Sequence, residues 1–492
     1  MRSSIYTPAI VLFVWLHLST GIGTGIISYD VGNLKLLLEN LCEFTAKPGK
    51  TDHYLSVLLK LQDKIRDTQK YFSRSWHLPS EHRERNLKTF LEWAKKTIFV
   101  NGIEVANIDG KGMGLRATRD LSPNTTILKV PLNVTLSSSE AKKSLSPCIG
   151  NIFRFKFAKL NNFRKRIWLS LLVLSKVLTE PHLKPYLDVL PRDIDVPLFY
   201  DYDVLSLLKG TDAFKRIVRN RRLVLATYAA IYSRLLESPN RCLRYGITLD
   251  AFTLDAFLWA YSIAQTRAVG LHRDTKIIPL WDMSNHETGE EHMRESVEDV
   301  KTSNPYFISW VNSAVSKGEE VLNSYYGTDM DMGIAFENWA MVSPTTEVLV
   351  SSRVDNHDPE ITMKLQSLHR LSLSSDVEFC LLPFTQSTLI SPKEFRILLT
   401  LATGKTKIEG HETFAKSWEY LDDLIELKLS AYPRSLDENR RLLESPDLSP
   451  MAYLAVQFIV VEQIALETSR QKCRQLADGP IIDVLDKKRL KY

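Results

Sequence analysis

The hydrophobic pattern changes period repeatedly along this chain, and that alternation limits the fold more than any single motif does. Apolar residues recur at three- and four-residue spacing in Asn33–Glu43 and Asp52–Lys70, where Tyr54, Leu55, Leu58, Leu61 and Ile65 form one stripe. Asn86–Lys96 continues the helical pattern after a polar stretch, Ser73–Arg85, that reads as a loop. From Ile98 to Leu136 the pattern becomes β-rich, with runs broken by Gly, Pro, Asn and Asp. Helices are expected again over Ile167–Leu178, Phe214–Leu236 and Asp255–Ala264, and strands at Tyr306–Val311 and Glu320–Tyr325. Beyond about Pro344 only Val348–Arg353 reads as a strand. Helices then run to the end, among them Glu394–Ala402 behind the capping box Ser391-Pro392-Lys393-Glu394, and Met451–Arg470.

At about 100–200 residues per domain, 492 residues suggest two to four domains. Lys plus Arg (63) against Asp plus Glu (58) leaves a net charge of +5 with no long basic block, which argues against a dedicated nucleic-acid binder. Cys42, Cys148, Cys242, Cys380 and Cys473 are scattered, with no CxxC pair. Such a set fits reduced thiols in a cytoplasmic protein better than a zinc site or a disulfide framework. The N-terminus points the other way. The apolar run Ala9–Leu18 after Arg2, followed by Thr20, Gly21, Gly23 and Gly25, matches the core of a secretory signal or an apolar extension of a cytosolic chain. If the chain is secreted, Asn124-Thr125-Thr126 and Asn133-Val134-Thr135 are glycosylation acceptors.

Three stretches are unusual enough to carry chemistry. Asp109–Leu121 places Gly110, Gly112 and Gly114 at alternate positions before a β-like run, a tight turn where backbone approaches something closely. Its GxGxG spacing, with no helix following, is not a dinucleotide fingerprint. Ile278–His286 (IPLWDMSNH) gathers a Trp, an acid, an amide and an imidazole in an apolar frame. Asp282 and His286 lie four apart but have no third ligand nearby, so no metal is expected. Ser324–Thr328 (SYYGT) sets tyrosines beside a glycine, an arrangement that can aim a phenol at a substrate.

In this order the three resemble SET-domain protein methyltransferases of the Rubisco-methyltransferase-like type. Thr266-Arg267 and Pro185–Pro191 (PYLDVLP) add to the likeness, which runs from about Leu36 through the C-terminal helices. The branch most resembled methylates a histidine of actin. The resemblance implies an α+β chain built on a SET β-fold. Residues 1–25 would be an apolar leader and 26–96 a helical region. The SET domain would occupy 97–343, with a helical insertion at about 140–255, and 344–492 would form an all-helical substrate-binding domain. It implies S-adenosylmethionine as cofactor and a protein substrate, with no nucleic acid, membrane or metal involved. Backbone at Thr125, Thr126 and Ile127, the side chains of Arg267, Asp282 and Asn285, the backbone of His286, and Tyr326 would hold the cofactor, Arg267 pairing its carboxylate. Trp281 and Tyr326 would line the target channel, with Tyr326 as the catalytic phenol.

Two positions depart from that branch. Val269 stands where an Asn holds the target imidazole, and Asp329 replaces an Arg after the YGT triplet. Both fall among the substrate-binding positions, so lysine on a non-histone protein is the alternative target, and a catalytically weak docking protein a further one.

Overall fold

The computed structural model describes residues 51–69, 80–150, 161–271, 274–287, 292–297, 305–325, 331–343, 347–354, 357–371, 376–381 and 389–480. The expected helix Asn33–Glu43, the run Ala9–Leu18, Tyr326 and Asp329 lie outside them. The chain divides into two compact units, Met1–Ile194 with Val218–Tyr325, and Asp195–Ile217 with Tyr326–Tyr492.

The first unit contains the strands β1 (Phe99–Val100), β2 (Ile103–Ile108), β3 (Gly112–Ala117), β4 (Thr126–Pro131), β5 (Leu136–Ser137), β6 (Val269–Leu271), β7 (Asp274–Ile277), β8 (Met293–Val297) and β9 (Tyr306–Val311). They form three small antiparallel sheets rather than one large one: β1-β4-β9-β8, the hairpin β2-β3, and β5-β7-β6. Burial alternates along β9, with Phe307, Ser309 and Val311 inward, as the two-residue period of a strand requires. Helix Asn161–Thr179 packs against β5 and β7 and against helix Leu254–Arg267, and the central residues of both helices are buried almost without interruption. An all-round apolar helix belongs in an interior.

Helix Thr51–Gln69 matches its expected span and closes the start of Leu254–Arg267. Gln69 Oε1 accepts the Leu254 N–H at 2.9 Å, and the Thr253 hydroxyl oxygen accepts that of Ala256 at 3.2 Å. Two donors orphaned at the helix N-terminus are thereby satisfied. The polar stretch expected as a loop is partly helix, because Ser80–Thr97 begins well before Asn86. Its charged residues are good helix formers, and the buried Phe90 and Ala94 anchor its inner face. Glu320–Tyr325, expected as a strand, is irregular. It gives the Val321 N–H to the Leu115 carbonyl and the Asn323 N–H to the Asn285 carbonyl, so it threads between two partners without a continuous ladder.

Cys148 and Cys242 correct the expectation of reduced thiols. They form a disulfide, Cα–Cα 5.2 Å, and both are buried. Spacing alone could not pair residues 94 positions apart.

The second unit is chiefly helical. Pro392–Thr403, His411–Ser430 and Pro450–Asp478 pack together, with Phe395, Phe414 and Trp418 in mutual contact. The capping box at Ser391 forms as expected, and Gly404 ends that helix at φ 70°, a conformation open to glycine without strain. Val348–Arg353 is a strand (β10), paired antiparallel with Asp376–Leu381 (β11), which the sequence reading does not anticipate. Pro450–Asp478 is long and apolar enough to cross a membrane by composition, yet it is the core helix of this unit and carries the buried Glu462.

Candidate active site

Arg267 occupies the last turn of helix Leu254–Arg267, where the carbonyl end of a helix favours a cation. Downstream, β7 leads into Ile278–Ser284, which turns sharply through Leu280 at φ 71°. For a residue with a side chain that left-handed conformation costs about 1–2 kcal/mol, and burial of the Leu280 side chain helps offset it. The bend is closed by N–H donation from Asp282 to the Ile278 carbonyl (3.0 Å) and from Ser284 to that of Trp281 (3.2 Å). It sends Trp281 edge-on against Phe307, with ring centroids 5.4 Å apart, and brings Asp282 to Arg267.

The Asp282 side chain is wholly buried. Arg267 Nη1 donates to its Oδ2 at 3.1 Å and to its backbone carbonyl at 2.9 Å, while the Tyr186 hydroxyl donates to Oδ2 at 2.7 Å. Burial works against the Arg267 charge, but Asp282 outweighs it and holds the guanidinium pKa above its ordinary value. Tyr186 is pushed well up by burial and by the same carboxylate, so it stays a donor. Tyr186 lies in the PYLDVLP motif, whose Pro191 carbonyl accepts from Trp259 Nε1 at 2.9 Å. The motif therefore joins the helix carrying Arg267 to the carboxylate that pairs with it.

A second guanidinium faces this cluster. Arg83, half-buried on helix Ser80–Thr97, donates from Nε to the Val189 carbonyl at 2.7 Å. Burial and the like charge of Arg267 lower its pKa to about 10. Asp282 pairs with Arg267, and Arg83 lies close enough to feel both charges while its own bond goes to Val189. Three buried atoms here have no hydrogen-bond partner among the described residues: Arg267 Nε, Asp282 Oδ1 and Trp281 Nε1. Each such group costs about 1–3 kcal/mol unless a partner arrives with a ligand.

Asn285, His286 and Tyr325 form the adjoining part of the site. Asn285 Nδ2 donates to Glu320 Oε1 at 2.7 Å, and the Asn285 carbonyl accepts the Asn323 N–H at 2.9 Å. His286 Nδ1 accepts the Tyr325 N–H at 3.1 Å, with the rings 5.3 Å apart. Burial lowers the His286 pKa. The Tyr325 hydroxyl donates to the Ser284 carbonyl at 2.8 Å, and burial raises its pKa to about 12. Asp282 and His286 are thus engaged by different partners, and among the described residues no cluster of three His, Cys, Asp or Glu could hold a metal ion.

The expected site residues separate into groups. Arg267, Asp282 and Trp281 converge, and Asn285 and His286 follow on the same segment. Thr125, Thr126 and Ile127 lie at the start of β4, where their carbonyls accept from Val311 N, Asn101 Nδ2 and Asn101 N. Nothing among the described residues hydrogen-bonds them to the Arg267 cluster. Val269 lies half-buried on β6, opposite Lys276. Arg267 uses Nη1 on Asp282 and keeps Nε without a partner among the described residues, while Arg83 lies beside it with its Nε on the Val189 carbonyl. Arg83 and Glu320 carry no sequence signal that marks them, and Tyr186, inside the PYLDVLP motif, gains a task only through its contact with Asp282.

These residues fit S-adenosylmethionine. Guanidinium charge suits a carboxylate, Asn285 can serve an ammonium group, and the orphaned Trp281 N–H awaits an acceptor.

Residues 355–466 match the Rubisco LSMT substrate-binding family. The chain is 26% identical to the actin-histidine N-methyltransferase of Danio rerio over 479 residues, 91% of this chain and 78% of that protein. It is 25% identical to the Homo sapiens protein of the same name over 484 residues, with the same coverage. Among solved structures it resembles the SET domain of LSMT bound to lysine and AdoHcy, with a TM-score of 0.62 and 19% identity over 80% of this chain and 91% of that one. Rubisco LSMT bound to AdoMet gives a TM-score of 0.60 and 18% identity, covering 79% of this chain and 92% of that one. The first of these structural likenesses shows a SET fold, and the stretch 355–466 is similar to the substrate-binding family of Rubisco LSMT.

Proposed function

We propose that this chain is an S-adenosylmethionine-dependent protein methyltransferase whose target is a histidine side chain of actin. The observation that carries the reading is the incompletely satisfied cluster of Arg267, Asp282 and Trp281, with the Arg83 guanidinium nearby. Likeness to actin-histidine N-methyltransferases over 91% of the chain supports the choice of target.

When bound, S-adenosylmethionine supplies a methyl group activated by its sulfonium. The chain's own contribution is position and field. Arg83 attracts the carboxylate, while Arg267 and Tyr186 fix Asp282 and so lock the bend that carries Trp281 and Asn285. A rigid, dry and charged frame of this kind lowers a displacement barrier without reorganising during the reaction. The target side chain must arrive neutral. Histidine, with a reference pKa of about 6.5, is mostly neutral at pH 7, whereas lysine at about 10.4 must first lose a proton. None of the residues assigned here needs to act as a strong base.

The test is methyl transfer from labelled cofactor to purified actin and to lysine-bearing proteins, with the modified residue located by mass spectrometry and Tyr326→Phe as control. Label on an actin histidine, reduced by Tyr326→Phe, is the expected result. Label on lysine would transfer the reading to the target suggested by Val269. Intact cofactor binding with no label on any substrate would favour a docking role.

A further inference from the structure

The glycine turn between β2 and β3 has no assigned task so far, and its contacts suggest one. Gly110 and Gly112 adopt φ 70° and 73°, and between them the Lys111 N–H bonds back to the Ile108 carbonyl at 3.0 Å. The turn thus presents Lys111 outward. Its Nζ lies 3.3 Å from Glu320 Oε2 and 3.5 Å from Glu287 Oε2. The Glu320 side chain is only 13% exposed, and its other oxygen accepts from Asn285 Nδ2 at 2.7 Å. Gly114 permits the approach: a Cβ there would fall 2.7 Å from Asn285 Nδ2 and 2.9 Å from Glu320 Oε1.

We propose that Glu320, held by Lys111, is a positioning residue that fixes the orientation of the Asn285 amide and so selects the amino-acid end of the cofactor. A carboxylate can only accept hydrogen bonds, so it requires Nδ2 to face it. Asn285 Oδ1 is thereby turned away from Glu320 as a free-standing acceptor, the polarity that an ammonium group needs. The Asn285 backbone is fixed separately through the Asn323 N–H, so the side-chain amide is what Glu320 controls. Gly114 keeps this contact close, and the two left-handed glycines on either side of Lys111 place its ammonium on the carboxylate's second oxygen. The GKGMG stretch is thus linked through Glu320 to the Asn285 amide.

This inference rests on the proposed cofactor, and a pair of ligands tests it. S-adenosylhomocysteine carries the amino-acid end; 5′-methylthioadenosine lacks it. Calorimetric affinities for both are measured on the full chain and its variants. Glu320→Ala should weaken S-adenosylhomocysteine about tenfold and leave methylthioadenosine within about twofold, the size expected for one charge-assisted hydrogen bond. Glu320→Gln, whose carbonyl can still accept from Asn285, should recover to within about threefold of wild type. Lys111→Met, removing a half-exposed ion pair, should cost about two- to threefold on the first ligand only. Equal losses for both ligands, or an unchanged ratio in Glu320→Ala and Lys111→Met alike, would overturn the proposal. Should Glu320→Ala fail to fold, Glu320→Gln and Lys111→Met still report the ratio. A wild-type chain that binds neither ligand would instead remove the cofactor reading, and this inference with it.

Discussion

Each unit of the molecule buries a cation, a carboxylate and a phenol together, and the two clusters end differently. In the second unit Lys428 lies 2.9 Å from Asp212 and 3.1 Å from Glu462, and the Tyr432 hydroxyl donates to the other oxygen of Glu462 at 2.7 Å. Burial opposes the Lys428 charge, but Glu462 and Asp212 outweigh it and raise the pKa. None of these four side chains has a buried polar atom without a hydrogen-bond partner. In the first unit the pairing is left incomplete. Asp282 pairs with Arg267, Arg83 lies nearby with its bond on Val189, and Arg267 Nε, Asp282 Oδ1 and Trp281 Nε1 are orphaned among the described residues. A closed cluster serves the fold. An open one, held at a cost of about 1–3 kcal/mol per orphaned group, serves a ligand that completes it.

The largest expected effect probes the closed cluster. Lys428→Met leaves the buried Glu462 without its cation, while Asp212 keeps Lys215 at 3.0 Å, and should destabilise the chain by about 3–5 kcal/mol in denaturant unfolding. A loss below about 1 kcal/mol would show that the cluster is not closed as described. Next comes the choice of target beside the open cluster. Val269→Asn supplies a hydrogen-bonding partner for an imidazole and should raise histidine methylation about ten- to a hundredfold, read by peptide mass spectrometry. A fall in activity would mean that the pocket is shaped for another acceptor. The smallest effect is in pH. His286 titrates below its ordinary value because it is buried, and only its neutral form accepts the Tyr325 N–H. The unfolded chain therefore takes up this proton first. The stability contributed is complete above a pH of about 6.5 and is lost as the pH falls from there through the depressed folded value, by at most about 1.4 kcal/mol per pH unit. Thermal unfolding followed across that window should show the slope, and His286→Gln should flatten it.

What the sequence made legible was local. The stripe from Leu55 to Ile65, the capping box at Ser391 and the strands Tyr306–Val311 and Val348–Arg353 declare themselves through period and end signals, and each forms. Asp282 and Trp281 are legible as residues of a polar segment in an apolar frame, and Arg267 only through the family resemblance. Their partners are not. Arg83 sits in a stretch polar enough to read as a loop, and nothing within its own helix reveals that it faces Arg267. Tyr186 looks like an ordinary apolar-insertion residue until its hydroxyl meets Asp282. Glu320 belongs to a segment whose β-like composition suggests a strand, although its bonds are distributed between two partners. The Cys148–Cys242 bond is hidden for the same reason, since a contact across most of the insertion leaves no periodic trace.

In the proposed function the open cluster receives the carboxylate of the cofactor. The most direct measurement is calorimetric titration of S-adenosylhomocysteine into the wild-type chain and into Arg83→Ala, with unfolding stability followed in parallel. The expected result is saturable one-to-one binding that Arg83→Ala weakens about tenfold, while stability falls by only about 1 kcal/mol for the lost bond to the Val189 carbonyl. Undiminished affinity in Arg83→Ala, or a stability loss as large as that of Lys428→Met, would contradict the division between an open and a closed cluster.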